Sequence, residues 1–109
     1  MPAFLLLSVA ILSEVLATLA LRASDGFSKP VPAAVVVVGY GLSFWLLALA
    51  LKDIPVSLTY AIWSGVGTAL VAVGGVLAFG ETMNPMKIAS LMVIVLGVAG
   101  LSAAGGGAH

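Results

Sequence analysis

The chain has 109 residues, 62% of them hydrophobic and 7% charged, and its four basic and four acidic residues cancel. A mean hydropathy of +1.29 excludes an ordinary soluble domain and makes this an integral membrane protein. The zero formal charge gives no support for nucleic acid as a partner, and a chain without cysteine makes no disulfide.

The first apolar run, residues 3–21, has about the 20 residues that cross a bilayer as a helix. It has no basic n-region, and Glu14 interrupts what would be an h-region, so it is expected to stay in the mature protein rather than act as a secretory signal. Residues 23–32 break the run with charge, glycine, Pro30 and Pro32, and Pro32 suits the first turn of a second span, 33–51. Lys52-Asp53-Ile54-Pro55 separates this from a third span, 56–79. Residues 80–85 precede the fourth, 86–102, with Asn84-Pro85 favouring a turn before it. The reading is a single all-α transmembrane domain over residues 1–109, with four spans and a glycine-rich tail, 103–109, expected to be disordered.

Glu14 stands in the middle of the first span. A carboxylate at that depth costs on the order of 2.5–3.5 kcal/mol, so it is expected to face protein or a water-filled cavity and to have a function. Arg22, Lys29, Lys52 and Lys87 lie at or near the ends of apolar runs, where basic side chains reach the headgroups. Glu14 therefore has no permanent counter-ion in the chain, and it holds either a proton or a cation that arrives from outside. That is the specification of an exchange site. The alternative is a structural acid hydrogen-bonded to Thr18, one helical turn away. The only histidine, His109, ends the tail with no partner fixed near it, and no catalytic set, phosphate loop or metal cluster can be assembled. Neither an enzyme nor a cofactor or metal is expected.

Helical spacing puts Leu7, Ala10, Glu14, Ala17, Thr18 and Leu21 on one stripe, whose small residues leave room around the carboxylate. Tyr40, Phe44 and Leu47 share a face of the second span, and Tyr60, Trp63, Ser64 and Gly67 share one of the third. Such aromatics serve packing or interfacial anchoring in many helices. Around a buried acid, rings at the depth of Tyr40 and Trp63 would cradle a lipophilic cation. Gly65-Val66-Gly67 permits either a bend or a close helix contact. In the fourth span Ser90 and Gly97 lie two turns apart on a face without polar function, which suits dimerisation. Arg22, Lys29 and Lys87 fall on one side of the membrane and Lys52 on the other, with the amino terminus raising that side to two. This weak bias favours cytoplasmic first and third loops and would allow insertion both ways.

The residues Ala10-Ile11-Leu12-Ser13-Glu14-Val15, Asp25-Gly26-Phe27, Ser43-Phe44-Trp45-Leu46-Leu47, and Pro55 followed by the stretch from Tyr60 to Gly67 resemble the small multidrug resistance family of bacterial inner-membrane exporters. The resemblance covers nearly the whole chain. It implies a proton-coupled exporter that works as an antiparallel, dual-topology homodimer. In that assembly the two copies of Glu14 would bind substrate and protons in competition, and Tyr40, Tyr60 and Trp63 would line the cavity with Phe44, Thr18 and Ser64 beside them. The third helix would bend at Gly65 to Gly67, and the fourth helices would meet through the Gly97 face. Ser90 stands where many relatives have glycine, and Phe4 where many have a cavity tyrosine. Guanidinium-type members resemble one another in having glycine three residues before the acid and tryptophan three after it. This chain has Ile11 and Ala17, which match the multidrug type and give hydrophobic room without an organised polar net.

Three functions follow as expectations. The first is a multidrug antiporter for lipophilic and quaternary ammonium cations. The second is an exporter of guanidinium compounds or polyamines, possible as one half of a heterodimer. The third is a non-transporting accessory membrane subunit, which leaves the intramembrane acid unexplained.

Overall fold

The computed structural model describes residues 2–104, and these form four α-helices and no strand. The far end of the tail and His109 lie outside the described residues. The helices are α1 (Ala3–Ala23), α2 (Pro30–Ala50), α3 (Val56–Phe79) and α4 (Pro85–Ala103), each long and apolar enough to cross a membrane.

Local chemistry explains where the helices differ from expectation. Helix α1 runs to Ala23, so that Arg22 falls in its last turn, beside the negative end of the helix dipole. Helix α2 starts three residues earlier than expected, at Pro30. The first N–H groups of a helix have no intrahelical acceptor, so Pro30 and Pro32 forfeit nothing there. Helix α3 ends at Gly80, whose φ of 65° is the left-handed stop that glycine adopts without penalty. The side chain of Asn84 accepts a hydrogen bond from Lys87 N–H at 2.9 Å and caps α4, which runs to Ala103 rather than 102.

Between α1 and α2 the chain turns through three successive left-handed residues, Asp25, Gly26 and Phe27. Buried Ser24 holds this turn: its hydroxyl donates to Leu21 O at 2.7 Å and accepts from Phe27 N–H at 3.0 Å. The turn is short enough to lay α2 back along α1. The helices approach closely at Gly39, where a Cβ would lie 2.8 Å from Ala17 Cβ, and there Ser13 Oγ donates to Gly39 O at 2.8 Å. Gly39→Val is expected to wedge α1 and α2 apart and to cost about 1–3 kcal/mol, seen as a lowered melting temperature in detergent.

The core lies at one end of the bundle, where Leu7, Ile11 and Val15 of α1 meet Ala50, Ile54 and Leu58. Helix α1 also packs on α3, and α3 on α4. At Gly65 a Cβ would stand 2.5 Å from Val98 Cγ2 and 3.3 Å from Ile94 Cγ2, so this glycine serves close packing against α4. Helix α3 runs as one α-helix through Gly65 and Gly67. No residue of α4 is buried, and both Ser90 and Gly97 are exposed. Ser90 Oγ donates to Met86 O in its own helix, and nothing lies within 4 Å of a Cβ placed on Gly97.

Candidate functional site

Glu14 is half-buried on α1 and projects toward α3. Thr18, one turn along, donates its hydroxyl proton to Glu14 Oε1 at 2.9 Å. Its oxygen stands 2.7 Å from the Tyr40 hydroxyl. A threonine has one proton to give, so Tyr40 must donate to Thr18. The result is a directed relay, Tyr40 to Thr18 to Glu14, that orients the carboxylate without neutralising it. The Thr18 contact foreseen as a structural alternative therefore exists, but it brings no positive charge.

From Tyr40 the site continues as stacked rings. Tyr40 and Phe44 have centroids 6.3 Å apart at 22°, and Phe44 and Trp63 have centroids 6.2 Å apart at 9°. The sequence placed these residues on two separate faces, and the fold makes one aromatic surface of them. Both spacings lie within the range of favourable offset stacking.

Next to this surface is a cavity of about 480 Å³ lined by Glu14, Tyr60, Trp63, Ser64, Gly67 and Thr68, with Val71, Ala72 and Glu81 at its far end. That volume is ordinary for a small-molecule site. Its α3 wall is a stripe at positions i, i+3, i+4, i+7 and i+8 from Tyr60, the spacing of one helix face. Gly67 makes room for the acid: a Cβ there would lie 3.5 Å from Glu14 Oε2, so any longer side chain would take the carboxylate's place. Ser64 Oγ donates to Tyr60 O at 2.8 Å and so offers the cavity a lone pair. In the single chain Tyr60 remains 71% exposed, leaving the aromatic wall open on one side.

Ala10 and Ile11 do not belong to this cavity. Ala10 is fully buried and Ile11 packs in the core against the end of α2 and the start of α3, so both shape the site only through the position of α1. Thr18, Tyr40 and Phe44 stand behind or beside the cavity rather than on its wall, with Phe44 lining an adjoining apolar cleft with Tyr60 and Trp63. Thr68 and Glu81 were not foreseen. Thr68 continues the Tyr60 stripe by one step of four from Ser64, a signal that was present. Glu81 is brought in by the left-handed turn at Gly80, which its sequence position alone does not reveal.

Among the described residues the ion pair is Arg22 Nη1 to Glu81 Oε2 at 3.6 Å, with the Arg22 guanidinium also 5.2 Å from the Phe79 ring centroid. Among the described residues no base pairs with Glu14. A carboxylate without a resident cation, oriented by neutral hydroxyls and faced by aromatic rings, can take up a proton or an organic cation.

The family model described as Small Multidrug Resistance protein matches residues 2–94. The chain belongs to the small multidrug resistance family. It is 48% identical over 95 residues to the multidrug resistance protein EbrA of Bacillus licheniformis, covering 87% of this chain and 90% of that protein. It is 43% identical over 98 residues to the quaternary ammonium compound-resistance protein QacE of Escherichia coli, covering 90% and 89%. With QacF of Klebsiella aerogenes, also named for quaternary ammonium compound resistance, it shares 46% over 99 residues, 91% and 90% of the two chains. Family and helices together make it a multi-pass membrane protein.

Proposed function

We propose that this member of the family exports lipophilic and quaternary ammonium cations across the bacterial inner membrane in exchange for protons, with proton and cation competing for Glu14. The observation that carries this reading is the position of Glu14, which is unpaired among the described residues, oriented by Thr18 and set in a cavity walled by Tyr60 and Trp63. An anionic oxygen supplies the charge, and the rings supply cation–π attraction and apolar contact. Neither is specific to one headgroup, which suits broad selectivity. A planar guanidinium would gain most from several fixed acceptors, whereas here the Thr18 and Tyr40 hydroxyls are engaged in the relay and Ser64 Oγ offers the cavity a lone pair beside the carboxylate.

The working unit is an antiparallel homodimer. Support comes from the exposed wall at Tyr60, from α4 with no buried residue and its Ser90 and Gly97 face free for a second helix, and from the weak charge bias of the loops. Two inverted copies would enclose one site and give two states of equal energy that open to opposite sides. A bend at Gly65 to Gly67 is the motion that would exchange them.

Trp63→Ala and Tyr60→Ala are expected to weaken binding of quaternary cations by about 0.5–2 kcal/mol each. Leu77→Ala, at a position 80% exposed outside the cavity, is expected to change it little. Calorimetric titration of the three variants checks this, and equal losses at all three would indicate general destabilisation. The function itself is tested in vesicles containing the purified protein. With the lumen acidified, vesicles should accumulate a quaternary cation against its gradient, and uptake indifferent to the pH gradient would count against exchange.

A further inference from the structure

Glu81 lines the same cavity as Glu14, and its distance from Glu14 can be reckoned along two helices. After the left-handed turn at Gly80 the chain folds back on α3, where Glu81 N–H donates to Gly75 O at 3.2 Å. The Glu81 carboxylate lies against Gly75, in space that a Cβ would occupy, while Glu14 Oε2 lies against Gly67. Gly67 and Gly75 are eight residues apart on α3, about 12 Å at 1.5 Å per residue. On α1, Arg22 reaches Glu81 and stands eight residues beyond Glu14, again about 12 Å. Between the two acids the wall is Thr68, Val71 and Ala72, which are neutral and small.

Arg22 does not lock Glu81 away. The pair is solvent-exposed, with side chains 65% and 50% accessible, and exposed pairs hold weakly. Arg22 also has the Phe79 ring as a second partner, so releasing Glu81 would not strand the guanidinium.

We propose that Glu81 is a second cation-binding carboxylate of this cavity, and that together with Glu14 it receives organic dications whose charged centres stand about 12 Å apart. Glu81 exchanges Arg22 for the second charge of the ligand, while Glu14 holds the first. The proposal rests on the exchange reading of Glu14. A linked second charge acts at high effective concentration, but only when the linker spans the two sites, so affinity must depend on spacer length.

The test is calorimetric titration of the full chain in detergent with bis-trimethylammonium alkanes of increasing spacer length, each compared with the alkyltrimethylammonium ion of the same chain length. The ratio of dication to monocation affinity should peak, at about tenfold or more, where the extended spacer sets the nitrogens about 12 Å apart. Glu81→Gln should flatten the peak, and Arg22→Gln, which frees Glu81, should raise it. A flat ratio in the unmodified protein, or a peak that survives Glu81→Gln, overturns the proposal. Should Glu81→Gln not fold, Arg22→Gln decides alone, because an unchanged peak there also overturns it. If the unmodified protein bound no monocation, the exchange reading would fall and the proposal with it, a result distinct from normal monocation binding with a flat ratio.

Discussion

Replacing Glu14 by glutamine is expected to abolish proton-coupled transport and to lower cation affinity about a thousandfold. Glutamine fills the same space and can still accept from Thr18, so the cavity keeps its shape. What disappears is the charge. At a separation of 4 Å and an effective dielectric near 20 that charge is worth about 4 kcal/mol, and each 1.4 kcal/mol is a factor of ten in affinity. The lost protonation site also uncouples whatever binding remains from pH. Glu14→Asp keeps the charge but withdraws it by one methylene from the Thr18 hydroxyl, which reaches Glu14 Oε1 at 2.9 Å, so binding should persist with an altered pH dependence. Binding isotherms across a range of pH for the three proteins check this, and full cation resistance in cells carrying Glu14→Gln would sink the exchange site.

The second large effect concerns orientation. Among the side chains Arg22, Lys29 and Lys87 oppose Lys52, which shares its side with the amino terminus, a margin small enough for one sequence to insert both ways. Three lysines added beside Lys52 would make four against three and reverse the bias. Expressed alone, such a chain should insert predominantly one way and lose most of its export, because an antiparallel pair needs both orientations. Co-expression with an oppositely biased chain should restore it. Accessibility of a tag fused to the C-terminus from either side of the membrane, read with resistance, checks both halves. Normal transport by chains inserted in one orientation only would end the antiparallel reading.

Much of this was legible in the sequence because membrane helices are simple to read. Four apolar runs bounded by charge, glycine and proline have few alternatives, and the helices differ from expectation only at their ends. Helix α2 starts at Pro30 rather than after Pro32 because either proline suits a first turn and sequence alone does not choose between them. At the site, helical spacing found Glu14, Thr18, Tyr60 and Trp63, since side chains on one helix face can be counted from sequence. It could not say which faces meet. Ala10 and Ile11 lie within one turn of Glu14, yet Ala10 is fully buried and Ile11 enters the core, because α2 and α3 close over that side of α1. The stacking of Phe44 on Trp63 and the Tyr40 to Thr18 contact join residues of different helices, and no periodicity within one helix encodes them. Glu81 escaped for the same reason, since its place depends on the reversal at Gly80.

Competition at Glu14 is most directly tested by the protons that leave when a cation binds. Detergent-solubilised protein in weakly buffered solution, held at a pH where the site is protonated, is mixed with tetrabutylammonium while the pH is recorded. Competition for one carboxylate predicts acidification that saturates with cation concentration, diminishes as the starting pH is raised, and is absent in Glu14→Gln. Cation binding by the unmodified protein with no proton released at any starting pH would contradict it.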